Sequence, residues 1–318
     1  MEAAILPRFG DAGAFTIADI PIPRPSAGQL LVKIKAAGLN PVDYKTRTGS
    51  GQAAQFTLPA ILGWDIAGQI ADAGQGAHKF SPGDRIFGMS NFPKPANAYA
   101  QFAVVQEDEF ALVPDNISDE MAGATPLAAL TAWEALFDHA GLKAGMRVLI
   151  HAAAGGVGHI AVQLARITET YIIGTASAQN HPWVKELGAN EVIDYREQRF
   201  ETATDPVDVV IDMMGAETSL RSLDIIKPGG VLVCLPSRYK DDPAVLAKAK
   251  EKQIRVIWPF VKPSGARMEQ IAALMESGKL TVKVAAVFSL KEVAKAHELL
   301  ETHHVQGKVV LTPNAAPC

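Results

Sequence analysis

Cysteine is nearly absent: the 318 residues carry only Cys234 and Cys318. Two thiols so far apart exclude a disulfide framework and a structural zinc held by four thiolates, and they fit a reducing compartment. No run reaches the ~18 apolar residues that a spanning helix needs. The opening MEAAILPRFG has no basic segment ahead of a long apolar core, so no signal peptide is expected and the chain reads as cytoplasmic. Nor does one sign of charge dominate: 30 Lys and Arg against 34 Asp and Glu give a net charge of −4. With no basic block, nucleic acid and membrane surfaces are excluded as partners. No repeat or low-complexity segment interrupts the chain. A 48% hydrophobic, 20% charged composition is ordinary for a soluble globular protein with length for roughly two domains.

Residues 1 to about 115 read as short strands broken by Pro/Gly turns: Glu2–Pro7, Phe15–Ile20, Leu30–Ala36, Ala67–Ala73, Arg85–Gly88 and Ala100–Val105. Such a pattern predicts a small β-barrel or sandwich. Helical character starts near Asp119, where Asn116-Ile117-Ser118 reads as a turn with a helix cap. Strands and helices then alternate: Arg147–His151, Tyr171–Thr175, Glu191–Tyr195, Val207–Met213, Val231–Leu235 and Ile254–Val261 are the strands, with one of the helices over Thr218–Ile226. Six strands with intervening helices predict a doubly wound parallel sheet. Ser264–Ser277 reads as a helix, Thr281–Ser289 as extended, Ser289–Glu292 as a capping box, and Gly307–Leu311 as a last strand returning to the β-rich domain. The expected domains are therefore 1–120 with 264–318, and 121–263.

The most informative stretch is Arg147–Arg166, RVLIHAAAGGVGHIAVQLAR. A buried apolar strand runs into a turn poor in side chains. Val157, Ile160, Ala161, Leu164 and Ala165 then mark one face of a helix. Strand, glycine turn and helix N-terminus together form the setting in which a dinucleotide pyrophosphate binds. The turn reads Ala153-x-Gly155-x-x-Gly158, with Ala in place of the usual first Gly. Gly155 and Gly156 let backbone approach phosphate, and Gly158 lets the helix close on the strand.

Further motifs extend the pattern: Gly38-Leu39-Asn40-Pro41-Val42-Asp43-Tyr44-Lys45, Leu62–Gly68 (LGWDIAG), Pro82–Arg85 (PGDR), Leu130–Trp133 (LTAW) and Gly307–Leu311 (GKVVL). Over nearly its whole length the chain resembles the zinc-independent quinone oxidoreductase and enone reductase branch of the medium-chain dehydrogenase/reductase superfamily. That resemblance implies an α/β protein with a GroES-like β-barrel catalytic domain plus a Rossmann doubly wound parallel sheet. It also implies NADPH as cofactor and quinones or α,β-unsaturated carbonyls as small-molecule substrates. Zinc-dependent members carry a Cys near Asn40 or Pro41 and a His-Glu pair at Trp64-Asp65. With neither thiolate nor imidazole there, no catalytic zinc is expected.

NAD-selective folds place an acid about 20 residues past the glycine turn to bind the ribose diol. This chain has Thr175-Ala176-Ser177-Ala178-Gln179-Asn180 there, which does not repel a 2′-phosphate. Ser177 can donate to such a phosphate, and the resemblance sets Tyr195 against it. Many relatives also carry a cation near Gln179, and this chain has none. Cofactor contacts are expected from Asn40, Thr131, Ala154, Gly155, Gly156, Val157, Ser177, Asn180, Tyr195, Met214, Leu235, Phe260, Val261 and Lys308.

Hydride reaching the β-carbon of an enone drives negative charge onto the carbonyl oxygen, where preorganised donors lower the barrier. Asn40 (amide) and Lys45 (ammonium) are the candidate donors. Asn40 also reads as a turn residue ahead of Pro41, and Lys45 as a solvated surface lysine. Tyr44 either donates a proton or packs. Asp65 and Asp43 read as structural acceptors. The apolar edge near Arg255–Trp258 needs covering, which a homodimer would do. Two other readings are an NADPH-binding protein with little turnover, like the lens crystallins of this branch, and a zinc-free alcohol or carbonyl dehydrogenase.

Overall fold

The computed structural model describes residues Met1–Pro313; Cys318 and the end of the expected 264–318 segment lie outside the described residues. The chain divides into two compact units, Met1–Leu130 with the chain from Lys262 onward, and Thr131–Val261. The first border lies ten residues beyond the 120/121 expected from sequence, and packing explains why. In the helix Asp119–Ala124, Gly123 presses on β-strand backbone so closely that a Cβ would stand 2.8 Å from the Ala36 Cβ. Just beyond it, the Leu127 amide donates to Asp65 Oδ1 at 2.8 Å. Ser118 caps that helix by accepting from the Met121 amide.

The first unit begins with strands β1 (Glu2–Leu6), β2 (Thr16–Asp19), β3 (Gln29–Gly38), β4 (Ala60–Ile61), β5 (Asp65–Ala73), β6 (Arg85–Met89), β7 (Phe102–Gln106) and β8 (Phe110–Leu112). In the second unit follow β9 (Arg147–Ile150), β10 (Tyr171–Ala176), β11 (Glu191–Asp194), β12 (Val207–Asp212), β13 (Ile226–Cys234) and β14 (Arg255–Ile257). The tail returns to the first unit with β15 (Val284–Ser289) and β16 (Lys308–Thr312). There the main sheet runs β15-β16-β3-β5-β6-β8, with β7 paired to β3, and a smaller sheet runs β2-β1-β4. Along β3, Leu30, Val32, Ile34 and Ala36 are fully buried while Lys33 and Lys35 turn outward, the period-2 alternation of a half-buried strand. β4 and β8 are two and three residues long, too short to leave a periodic signal in the sequence.

The sheet of the second unit is wholly parallel, in the order β11-β10-β9-β12-β13-β14. Ile173, Leu149, Val210 and Leu232 stand opposite one another across four neighbouring strands, all 0% exposed. Each such side chain contributes ~1.5–3 kcal/mol of burial, which fixes the register and so the level at which the strands end. Strand order reverses between β9 and β12, and the glycine turn leaves β9 at that switch point.

Three expectations are corrected. The helix expected over Thr218–Ile226 is shorter, Glu217–Ser222, and β13 already starts at Ile226. Pro228-Gly229-Gly230 lies inside this strand, because Gly230 lets it pass within 2.7 Å (Cβ position) of the Asp208 carbonyl. Strand six ends at Ile257 and not Val261: its register against β13 stops at Val233↔Ile257, and Pro259 and Pro263 cannot donate to a ladder. Phe260 and Val261 therefore lie beyond the sheet.

Candidate functional site

In the second unit, the turn after β9 is built on Ala152, which holds the left-handed conformation (φ 48°). Its carbonyl accepts from the Gly155 amide at 2.8 Å. A Cβ on Gly158 would lie 2.2 Å from that same carbonyl oxygen and 2.8 Å from the Ala153 Cα, so only glycine fits there. This close approach starts the helix Gly158–Ile167 directly beneath the turn, and no side chain caps its N-terminus. Uncapped amides and the positive end of the helix dipole favour an anion. Ala154 is buried, while Gly155, Gly156 and Val157 are half-exposed beside it. The neighbouring strands end at the same level, since Ile150 of β9 pairs with Ile211 of β12 and Asp212 with Cys234 of β13. Met214 (54% exposed) and Leu235 (half-buried) therefore follow the ends of adjacent strands. Asp212 shapes the first of these turns, accepting from the Met214 and Gly215 amides at 2.7 and 3.1 Å and from Ser219 at 2.6 Å.

On the other side of β9, β10 and β11 end together at Ala176↔Asp194. Ser177 is 6% exposed and accepts from Asn180 Nδ2 at 3.2 Å. Asp194, the acid at the end of β11, is held by the Ala178 and Arg196 amides at 3.0 and 2.9 Å. Tyr195 is 53% exposed, and the Arg196 guanidinium stands 5.7 Å from its ring centroid. Arg196, two residues beyond the end of β11, is a cation that the sequence analysis did not single out. Thr131 is half-buried in the helix Pro126–Trp133, and Phe260 is 48% exposed.

The first unit holds a buried polar cluster around the start of the helix Pro41–Arg47. Asn40 is 1% exposed. Its backbone amide donates to Asp43 Oδ2 at 2.5 Å and its Nδ2 donates to Asp65 Oδ2 at 2.8 Å. Its Oδ1 accepts from Lys308 Nζ, which also donates to the Leu39 carbonyl at 2.7 Å and lies 3.9 Å from Asp65. Lys308, expected to reach the cofactor, is 4% exposed and spends its ammonium on these partners. Asn40 is correspondingly not a free amide donor: one Nδ2 hydrogen and its Oδ1 are already committed. Asp65 and Asp43 are fully buried acceptors; the apolar, glycine-rich context of Asp65 suggested this for it. Burial pushes Asp43 up to about 8, with the Asn40 amide opposing, and pushes Asp65 up to about 6 against the pull of Lys308 and Asn40. Lys308 is lowered by burial, with both carboxylates resisting. The arrangement is an Asp65–Lys308 pair beside a protonated Asp43. Tyr44 and Lys45 are half-buried on the same helix, and the Tyr44 ring stands edge-on to His303 at 6.0 Å, which favours packing for it.

Fold and turns together define a dinucleotide-binding unit of Rossmann order in one chain with a GroES-like unit. Residues 26–115 match the alcohol dehydrogenase GroES-like domain family, and 187–311 match the zinc-binding dehydrogenase family. The 2-methylene-furan-3-one reductase of Solanum lycopersicum is 33% identical over 93% of this chain and 74% of its own length. The structure of the quinone oxidoreductase from Coxiella burnetii superposes with a TM-score of 0.93 at 37% identity, covering 99% of both chains. Escherichia coli quinone oxidoreductase complexed with NADPH gives 0.88 at 28% identity, over 98% of this chain and 100% of that one. The chain belongs to the medium-chain dehydrogenase/reductase superfamily, among relatives named quinone oxidoreductases and enone reductases. Despite the second family's description, the residues do not fit zinc. Both Asp65 oxygens are engaged, the Trp64 indole donates to the Lys94 carbonyl at 2.8 Å, and among the described residues no three His, Cys, Asp or Glu gather to hold a metal.

Proposed function

We propose that this chain is an NADPH-dependent, metal-independent oxidoreductase that reduces quinones or the C=C bond of α,β-unsaturated carbonyls. The observation that carries the reading is the glycine-only contact of Gly158 with Ala152 beneath an uncapped helix N-terminus at the switch point. Solved and curated relatives described as NADPH complexes or NADPH-dependent support the cofactor. Ala154–Val157 would hold its pyrophosphate, and Met214, Leu235, Phe260, Val261 and Thr131 would line the rest of it. Ser177 keeps its own hydroxyl hydrogen to donate to the 2′-phosphate, since its oxygen already accepts from Asn180. Arg196, over Tyr195, adds the charge that selects phosphate. Asp194 is the acid bonded to that segment, through the Ala178 amide, and its carboxylate is taken by two backbone amides.

Bound NADPH supplies hydride to the electron-poor carbon of the substrate. The protein's part is to meet the charge that develops on the substrate oxygen. An amide NH2 carries two hydrogens, so Asn40 retains one for that oxygen, with Lys308 and Asp65 holding its side chain in place. Lys45 supplies a second, charged donor. Water protonates the product, so no buried acid is required. A second copy of the chain covers the β14 edge in a homodimer, which light scattering on a sizing column tests; a monomer at micromolar concentration overturns that part.

The function is tested by following the loss of reduced-nicotinamide absorbance with a quinone panel and an alkenal and enone panel, NADPH against NADH. Turnover with NADPH on either panel supports the reading. Tight NADPH binding with no oxidation across both panels supports a binding protein with little turnover, and reduction of saturated ketones alone supports a zinc-free carbonyl dehydrogenase.

A further inference from the structure

His151 ends the strand β9 side of the glycine turn, is 2% exposed, and has no part in the reading above. Its ring is bonded at both nitrogens. Nδ1 lies 3.2 Å from Thr175 Oγ1 and Nε2 lies 3.0 Å from Ser222 Oγ. Two further bonds fix where the protons sit. The Ala152 amide donates to Thr175 Oγ1 at 3.2 Å, and the Ser222 hydroxyl donates to the Thr218 carbonyl at 2.7 Å. Ser222 has therefore spent its hydrogen and must accept from the imidazole, so Nε2 carries the proton. In the neutral ring Nδ1 is then an acceptor, and Thr175, already accepting from Ala152, donates its hydroxyl hydrogen to it. The opposite tautomer would strip the Thr218 carbonyl of the hydroxyl and leave the Thr175 hydrogen without an acceptor, in a site where Thr175 is 3% and Ser222 0% exposed. Unsatisfied buried groups of this kind are costly.

One ordered path results: Ala152 N–H to Thr175, Thr175 O–H to His151, His151 Nε2–H to Ser222, Ser222 O–H to Thr218. Its ends are the two turns that frame the switch point. Ala152 is the left-handed residue whose carbonyl sets Gly155 and Gly158. Thr218 donates its amide to the Gly215 carbonyl at 3.1 Å, in the turn that carries Met214. We propose that His151, neutral and protonated at Nε2, is a positioning residue that locks the phosphate-cradling turn to the Met214–Thr218 turn through Thr175 and Ser222. The proposal rests on the cofactor reading given above.

Electrostatics agree with a neutral ring. Burial lowers the His151 pKa, Arg221 lowers it further, and Asp212 and Glu201 oppose. The Phe200 ring meets the imidazole edge-on at 4.6 Å. These are the charged groups and the aromatic that face it, and the Asp212 carboxylate is itself taken by Met214, Gly215 and Ser219.

The test uses the full chain. Nitrogen-15 NMR of histidine-labelled protein without cofactor should show His151 as the neutral Nε2–H tautomer, staying so below the ordinary histidine pKa of ~6.5; its resonance is assigned by its loss in His151→Gln. NADPH affinity is then measured by fluorescence for wild type, Thr175→Ser, Thr175→Val and Ser222→Ala. Thr175→Val, isosteric but without the hydroxyl, should bind about tenfold more weakly, the effect of about one hydrogen bond. Thr175→Ser should bind within about twofold of wild type, a recovery expected only if the hydroxyl and not the packing matters. Ser222→Ala should weaken binding and leave the His151 Nε2 hydrogen without its acceptor, so that the ring loses its single tautomer, which keeps the test open should Thr175→Val fail to fold. An Nδ1–H tautomer in wild type, or folded variants that all bind NADPH as wild type does, overturns the proposal. Wild type that binds no NADPH overturns the cofactor reading and, with it, the turn-locking role, whatever the tautomer.

Discussion

The two units position their candidate site residues with opposite kinds of buried chemistry. Around Asn40 the first unit buries an ion pair, Asp65 with Lys308, beside the carboxyl of Asp43, and Arg47 reaches Glu301 at 2.6 Å a helical turn beyond Asp43. Around Ala152 the second unit buries neutral hydroxyls and an imidazole, with a single carboxylate, Asp212, saturated by two amides and Ser219. The difference follows from what each must hold. On the proposed function, the first unit has to orient a side-chain amide, and a fixed ion pair holds it in place. The second has to hold backbone N–H groups open toward an anion, and a buried carboxylate with spare lone pairs would compete for them.

Breaking the charge cluster should have the largest effect. Lys308→Met leaves the Asp65 carboxylate and Asn40 Oδ1 without their cation, and removing one partner of a buried pair costs about 3–5 kcal/mol. Urea unfolding should register this as a lower midpoint, and Lys308→Met with Asp65→Asn should recover part of it. A double variant as unstable as the single would mean that the lost packing of the lysine stem, and not charge, is responsible.

Next comes the pH response. Asp43, pushed up to about 8 by burial, keeps in the folded chain a proton that the unfolded chain releases near its ordinary ~3.9. Stability should fall as pH rises from about 4 to about 8, because the folded state binds more protons throughout that window. His297, pushed down to about 3 by burial and by Arg47, acts on the acid side. Between its ordinary ~6.5 and about 3 the unfolded chain holds the proton, so its contribution to stability is lost as pH falls. Asp43→Asn should flatten the falling limb and His297→Leu the acid limb. Denaturation midpoints across pH measure both, and an unchanged slope between about pH 4 and about 8 in Asp43→Asn would show that the buried cluster does not hold that proton.

The smallest effect is expected at the surface. Arg196→Ala should weaken NADPH binding about five- to tenfold and leave NADH unchanged, as befits one exposed charge on a phosphate. Equal loss for both nucleotides would show that Arg196 acts by supporting Tyr195, not by reading the 2′-phosphate.

Much of the fold was legible in residues alone. The β-rich opening, the alternation after Arg147, the Ser118 cap and the returning tail all leave periodic or turn signals, and Glu292 does accept from the Ser289 amide and hydroxyl. The candidate site was less so. Asn40, Lys308 and Asp65 appeared as separate motifs, and nothing local says that a lysine 268 residues further on is spent on Asn40. The limits of strand six and of the helix after Gly215 were misread because the pairing partner, not propensity, ended the one and began β13 early.

By itself the sequence determined the glycine turn and the strand and helix on either side of it, since these depend on residue type and short spacing. Only the tertiary structure decided which polar groups are already satisfied. It closed Lys308 and most of Asn40 inside the first unit, and joined Thr175, His151 and Ser222 into one path. Hydrogen-bond partners and burial are properties of residues distant in the chain, and no local pattern encodes them.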